Sequence, residues 1–367
     1  MKAKVAVVAE KEGKFEMKDV ELSKLHHREV LVKIKATGIC HTDLAVKDGN
    51  LPANYPVVLG HEGCGMVEDF GEGVFNIEKG DHVVLSYMSC GVCHPCLEGD
   101  RGYCESFNKL NFLNQRFYTD KPIYKEDNLN AAFFQQSSFA TYAIVSDQNF
   151  VKIDKDVELE LMGPLGCGIQ TGAGAVMNTL NPNAGTSIAI FGTGSVGLSA
   201  VMASKIAGCH IIIAVDVNPD RLKLAKELGA THIINSKETD DVPAAIKEIK
   251  KGGVEYAVEC SGIPEVANQA FNSLYNRGTL AIVGAPPAET DYSFDANDWI
   301  LSGRTVRGVV EGDSIIPIYI PRLIELYKQG LFPFDKLVKY YNFKDINKAV
   351  EDMEAGKVIK PILKIDN

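Results

Sequence analysis

Short apolar runs rich in β-branched residues, each broken by glycine, mark the chain up to about Phe150. VLVKIKATGIC, YPVVLGHEGCGMVEDFG and GDHVVLSY each read as a strand that ends in a turn. The opening MKAKVAVVAEKEGKFEMKDV reads as strand, turn and strand, so this part leans all-β. Residues 105–136 are weakly patterned and rich in Asn, Phe and Tyr. They are expected to form a long loop with short helices, near a site mouth or a subunit contact. From about Asn183 the pattern changes. TSIAIFG is a buried strand, GTGSVGLSAVMASKIAG a glycine-opened helix and HIIIAVD a second buried strand. PDRLKLAKELGA, HIIN, DVPAAIKEIKKG, VEYAVEC, PEVANQAFNSL and GTLAIVG continue the alternation. Strands alternating with helices predict parallel βαβ units and a doubly wound sheet, an α/β fold. Beyond about Glu311 the chain turns helical and ends in KPILKI, a strand expected to return to the first domain. The expected organisation is therefore a discontinuous β-rich domain of residues 1–168 and 311–367 around a domain of residues 169–310.

At 367 residues the chain exceeds one ordinary core, which agrees with two domains. A hydrophobic content of 46% and a charged content of 23% are those of a soluble globular protein. No run approaches the ~18–20 apolar residues of a membrane span, and the N-terminus lacks the marks of a signal peptide. Nine cysteines in that setting fit a reducing compartment, and a cytoplasmic location is expected. The net charge of −10 argues against binding nucleic acid through its phosphates.

Cys90, Cys93, Cys96 and Cys104 lie in CGVCHPCLEGDRGYC. Three thiols spaced by two residues, with a fourth one loop later, converge readily on one tetrahedral ion, and zinc accepts four thiolates in closed structural sites. Gly91, Pro95, Gly99 and Gly102 supply the turns such a wrap requires. Four cysteines in so glycine-rich a loop are a poor way to build a core, which sets aside buried free thiols.

Gly192, Gly194 and Gly197 form GTGSVG between a strand and a helix. That context permits a tight turn, close backbone approach to a pyrophosphate and a helix N-terminus facing the phosphates. Asp216 ends the next strand, 19 residues beyond Gly197, where an acid bonds the adenosine ribose and repels a 2′-phosphate. NAD is therefore expected over NADP, with Arg221 flanking the ribose and softening that exclusion.

Cys40 in GICHTD, His61 in LGHEGCG and Cys167 in PLGCG are further candidate ligands. Two thiolates and an imidazole leave one position open, as in catalytic zinc sites. Read alone, each has a bland alternative as a packed thiol or a satisfied histidine, and spacing does not join residues so far apart.

GHEGCGMVEDFGEGV, GDHVV, the four-cysteine lobe, LGCGIQTGAGAV and GTGSVG, in that order, resemble the medium-chain zinc-dependent alcohol dehydrogenase family across essentially the whole chain. QSSFATYA, GPLGCGIQTGAGAVMN, GVVEGDS and GLFPFDKLVKYY look most like its aryl-alcohol (benzyl alcohol) dehydrogenases. The resemblance implies a GroES-like catalytic domain, a Rossmann domain, two zinc ions and a homo-oligomer, more readily a tetramer than a dimer. Cys40, His61 and Cys167 match the catalytic zinc ligands, and Cys90, Cys93, Cys96 and Cys104 the structural ones. Glu62 matches the acid beside the metal, Asp43 the carboxylate behind the ligating histidine, and Thr42 the hydroxyl that takes the alcohol proton. His41 and Lys360 match pyrophosphate contacts, and Thr171 and Val196 the residues that hold the nicotinamide. Val283, Val309 and Glu311 match positions whose backbone holds its carboxamide. Where some relatives carry a relay histidine, this chain has Ala45, so the relay ends through the cofactor ribose and water or with help from His41.

The implied reaction is reversible oxidation of a primary alcohol, benzylic in type, to its aldehyde. Ser86 and Val310 are expected to wall the substrate pocket, with Phe112 and Phe117 as further candidates or packing groups. Aliphatic, terpenoid or cinnamyl alcohols are the alternative substrates. A zinc-free quinone reductase and a non-catalytic zinc- and NAD(H)-binding protein are the other readings, and the complete ligand set argues against both.

Overall fold

The buried apolar runs after residue 183 become a six-stranded parallel sheet in the computed structural model, which describes residues 1–126 and 128–365. Residue 127, in the expected long loop, and residues 366–367, in the expected second part of the first domain, lie outside the described residues. The strand order is His232–Asn235, Ile211–Asp216, Ser187–Phe191, Val254–Glu259, Leu274–Ile282 and Thr305–Gly308. Helices Ser195–Ile206, Pro219–Leu228, Val242–Ile249 and Pro264–Asn272 make connections between successive strands. Ser187–Phe191 is buried along its whole length, as a central strand covered on both faces must be. The order reverses beside this strand, the place where doubly wound sheets bind dinucleotides, and the glycine loop follows it directly.

The helix ends are chemically marked. Asn218 accepts hydrogen bonds from the backbone of Asp220 and Arg221 to open Pro219–Leu228, and Gly229 closes that helix at φ +132°. One strand departs from the pattern. Leu274–Ile282 begins earlier than GTLAIVG implies, because Leu274 pairs with Val254 before a register shift that leaves Tyr275–Arg277 exposed.

The β-leaning part forms a seven-stranded sheet. Its path runs Val338–Asn342, Lys360–Lys364, Glu29–Gly38, Glu62–Phe70, His82–Leu85 and Phe150–Ile153, with Tyr142–Ser146 also paired to Glu29–Gly38. Phe15–Glu21, Lys2–Val8 and Val57–Val58 make a smaller sheet. KPILKI does return here, with Ile362 opposite Gly38.

By compactness the chain divides into Met1–Cys167 with Ile315–Arg322 and Asp335 onward, and Gly168–Ser314 with Leu323–Phe334. Leu323–Phe334 thus groups with the second unit rather than with the segments around it.

The weakly patterned stretch holds the short helix Phe107–Phe112 and the turn Phe133–Gln135. Arg116 fastens it. Its buried guanidinium pairs with Glu29 and donates to Ser23 Oγ and to the carbonyls of Lys24 and Pro122. Among the described residues no helix is long and apolar enough to cross a membrane.

Candidate active site

Antiparallel pairing sets Gly38 opposite Glu62, so the residues just past one strand lie beside those just before the other. That brings Cys40 to His61. Cys167 arrives on the turn Gly163–Gly166, which can lie this close only because it is built on glycine. A Cβ at Gly163 would stand 2.3 Å from the Glu62 carbonyl oxygen, and one at Gly166 1.9 Å from that of Leu85. Donor atoms of Cys40, His61, Glu62 and Cys167 consequently lie within 4.8 Å of one another.

Asp43 organises the cluster from behind. Its carboxylate is fully buried and accepts from His61 Nδ1 at 2.8 Å, Gly60 N at 3.1 Å and Cys40 N at 2.9 Å. His61 Nε2, also fully buried, has no hydrogen-bond partner among the described residues. A buried ring nitrogen aimed at two thiols and left unpaired is what a metal ligand looks like. Burial pushes the His61 imidazole down, but the Asp43 carboxylate and Cys40 together hold it well above its ordinary value. The Cys40 thiol lies well below its own, through hydrogen bonding from Cys167 and the charges of Lys360 and His61. A thiol that ionises readily is the form a metal takes. The donor set fits a zinc ion with one open position. Thr42 is half-buried, its Oγ1 3.8 Å from Cys40 Sγ, while His41 is exposed.

Lys360, expected at the pyrophosphate, also belongs to this cluster. Its ammonium, in a residue 1% exposed, donates to both oxygens of Glu62 and to the Ile39 carbonyl. A buried carboxylate beside thiolates requires a cation, and Lys360 supplies it. Ser86, expected on a pocket wall, is fully buried and donates from Oγ to Gly166 O at 2.6 Å, which steadies the turn carrying Cys167.

The four thiols of the lobe likewise lie within 4.8 Å of one another. Backbone N–H groups of Cys93 and Cys90 point at the sulfurs of Cys90 and Cys104. Backbone hydrogen bonds from Cys96 and Glu105 lower the Cys93 thiol to about 7, while burial pushes Cys104 up to about 12. Four sulfurs in one such shell fit zinc without a further ligand. His94 stands outside, exposed and 3.5 Å from Glu98.

In the second unit, Gly192 turns the chain at φ +86°. A Cβ at Gly197 would stand 1.8 Å from Gly192 O, whereas one at Gly194 would meet nothing within 4 Å. Gly197 is therefore glycine for packing, and Gly194 leaves a space that the protein itself does not fill. That space fits a cofactor pyrophosphate at the start of Ser195–Ile206, whose first turn carries Val196. Asp216 accepts from Thr193 N at 2.5 Å, Thr193 Oγ1 at 2.8 Å and Asn218 N at 2.9 Å, so it braces the loop. Arg221 Nε is buried without a hydrogen-bond partner among the described residues. Thr171 Oγ1 donates to Glu311 Oε2 at 3.4 Å, beside Gln170 Nε2 at 3.2 Å. Val283 and Val309 lie at neighbouring strand ends, where Val309 N donates to Ile282 O, and Val310 is half-buried next to them.

Three groups escaped the sequence reading. Gln136 bonds the backbone on both sides of Glu62, donating to His61 O at 2.9 Å and accepting from Gly63 N at 3.1 Å. Phe133 and Phe134 both pack on the His61 ring. Phe112 joins them, 5.2 Å from Phe134, while Phe117 packs instead against Tyr118. The only sequence signal was FFQQSS itself, two aromatics followed by uncharged polar residues in an otherwise unpatterned stretch.

Residues 26–155 match the alcohol dehydrogenase GroES-like domain, and residues 195–329 the zinc-binding dehydrogenase domain. The chain is 39% identical to the geraniol dehydrogenase of Castellaniella defragrans over 98% of its own length and 97% of that protein's. The crystal structure of benzyl alcohol dehydrogenase from Acinetobacter calcoaceticus superposes with a TM-score of 0.97 at 49% identity, covering both chains fully. An alcohol dehydrogenase zinc-binding domain protein from Burkholderia ambifaria gives 0.97 at 48%, again over both full chains.

Proposed function

The chain belongs to the zinc-dependent medium-chain alcohol dehydrogenase family, and on that premise we propose that it oxidises benzylic primary alcohols reversibly to aldehydes with NAD. The observation that carries the substrate class is the set of rings at the ligand histidine, with Phe134 and Phe133 against His61 and Phe112 against both. These rings give the metal cluster an apolar aromatic surround, the kind of setting a flat aromatic substrate suits, with half-buried Phe112 at its outer side. The similarity to benzyl alcohol dehydrogenase supports the same reading.

When bound, zinc at Cys40, His61 and Cys167 supplies a Lewis acid that acidifies an alcohol and polarises a carbonyl, and the nicotinamide supplies the hydride acceptor. The remaining work falls to side chains. Asp43 holds His61 in the tautomer with Nε2 free. Glu62, neutralised by Lys360, lies beside the ligands. Thr42 accepts the alcohol proton, and with Ala45 in place of the relay histidine that proton leaves through the cofactor ribose and water or with help from His41, which is exposed. Gly192, Gly194 and Gly197 receive the pyrophosphate, and Asp216 with Arg221 the adenosine ribose. Thr171 and Val196 hold the nicotinamide ring, and backbone groups of Val283, Val309 and Glu311 its carboxamide. Ser86 acts through the turn that carries Cys167. We also read the protein as a cytoplasmic homo-oligomer, a tetramer rather than a dimer.

A terpenoid alcohol is the second reading, favoured by the geraniol dehydrogenase relative. Benzyl alcohol and geraniol share a carbinol carbon attached to an sp² carbon, which ethanol lacks. NADH formation with the three alcohols on one preparation tests both readings. The expected kcat/KM for benzyl alcohol exceeds that for ethanol by at least about tenfold, about 1.4 kcal/mol of differential binding. Parity with ethanol overturns the substrate class, and a clear preference for geraniol selects the second reading.

A further inference from the structure

We propose that Phe134 is a positioning residue for His61, setting the plane in which its free nitrogen meets the catalytic metal. The inference rests on the reading of Cys40, His61 and Cys167 as metal ligands. The hydrogen bond from His61 Nδ1 to Asp43 lies along the imidazole plane and fixes the tautomer. A turn of the ring about Cβ–Cγ moves Nδ1 off the carboxylate and swings Nε2 away, and a single hydrogen bond opposes that turn only in part. Phe134 removes this freedom. Its ring stacks on the imidazole with centroids 4.6 Å apart and planes 25° apart, while Phe133 meets the same ring edge-on at 5.4 Å and 87°. Phe112 and Phe107 back Phe134 at 5.2 and 6.5 Å, so the stacked ring cannot itself turn away.

The backbone is bent to deliver this ring. Ala132, Phe134, Gln135 and Ser137 all adopt positive φ, at 66°, 50°, 53° and 48°, a region non-glycine residues avoid. Buried side chains hold the segment in that shape. Gln136 bonds His61 O, Gly63 N and Ser86 O, Gln135 bonds Leu110 O, and Ser137 bonds Val58 O. Such unfavourable backbone persists where its surroundings over-determine it, and this stretch is fastened to His61 itself and to the start of the strand that follows it.

The test compares the zinc-loaded parent with Phe134→Leu, which keeps bulk and loses the flat face, and Phe134→Tyr, which keeps the face. Zinc per chain is followed during dialysis against a chelator, and the visible spectrum of the cobalt-substituted protein reports ligand geometry. Phe134→Leu is expected to release one zinc about 10–100-fold faster, with an altered cobalt spectrum, while the second zinc stays and Phe134→Tyr behaves as the parent. Release and spectrum unchanged in Phe134→Leu overturn the proposal, as does loss in Phe134→Tyr equal to that in Phe134→Leu. If Phe134→Leu loses both ions and does not fold, Phe112→Leu loosens the ring from behind and is expected to speed release of the same zinc; no change there overturns the proposal. A parent that binds only the lobe's zinc defeats the ligand reading itself, a separate failure.

Discussion

Glu62 and Lys360, 298 positions apart in sequence, are joined through both carboxylate oxygens at 2.8 and 3.0 Å, with almost no surface on either residue. Removing one partner strands a buried charge, and such breaks typically cost about 3–5 kcal/mol. Lys360→Met should therefore lower the urea midpoint strongly at an unchanged slope. The double variant Glu62→Gln/Lys360→Met should recover most of the loss, since no bare charge remains. A double variant as unstable as the single would place the stability in packing.

Gly194 and Gly197 separate binding from folding. Gly194→Ala, at φ −74° and ψ −165° with nothing near its Cβ, should change stability by less than about 1 kcal/mol. It should raise the Kd for NADH at least about tenfold, because the methyl occupies the phosphate's place. Gly197→Ala drives a methyl onto Gly192 O and should destabilise by about 1–3 kcal/mol or more. Thermal melts with and without NADH read both.

Asp216 is expected to exclude NADP by charge while bracing Thr193. Asp216→Asn keeps an acceptor for Thr193 and loses the charge, so the NAD-to-NADP ratio of kcat/KM should fall about tenfold or more. Asp216→Ala should lose activity with both cofactors, since the loop loses its brace. A ratio unmoved in Asp216→Asn would place discrimination elsewhere.

Cys93→Ser should reduce the zinc content from two ions per chain to one and lower the melting temperature, because the lobe's small core around Met88, Cys96, Cys104 and Leu110 is built on the ion. Metal analysis together with calorimetry checks it, and two ions retained would assign one of them elsewhere.

Ser86 carries two expectations. Ser86→Ala leaves Gly166 O without its hydroxyl and should cost about 1 kcal/mol. Ser86→Phe forces a ring into a fully buried site under the turn that carries Cys167, so it should lower the melting temperature and the activity with benzyl alcohol and ethanol alike. A fall in the benzyl alcohol to ethanol ratio of kcat/KM at an unchanged melting temperature would place Ser86 on the pocket wall.

The parts legible in the sequence were those whose evidence is contiguous. GTGSVG declares itself because strand, glycine turn, helix and Asp216 follow within one βαβ unit, and the four thiols of the lobe share one loop. Cys40, His61 and Cys167 were joined by resemblance alone, since their meeting depends on Gly38 pairing with Glu62 and on a glycine turn reaching both strands. The bond from Lys360 to Glu62 went unread for the same reason. Its environment is set by Ile362 pairing with Gly38, a contact across more than three hundred positions that no local pattern encodes. Phe134 was invisible because its role follows from a left-handed backbone, and nothing in a phenylalanine announces positive φ.

The pairing of Lys360–Lys364 with Glu29–Gly38 also has a consequence in time. A ribosome adding about 5–20 residues per second needs roughly 15–60 s to travel from Glu62 to Lys360. For most of that interval the strand bearing Glu62 is clear of the ribosome while its counter-cation has not yet been made. The metal-binding unit is therefore completed after the nucleotide-binding sheet has emerged, and Glu62 stays hydrated until the closing strand arrives to bury it with its cation.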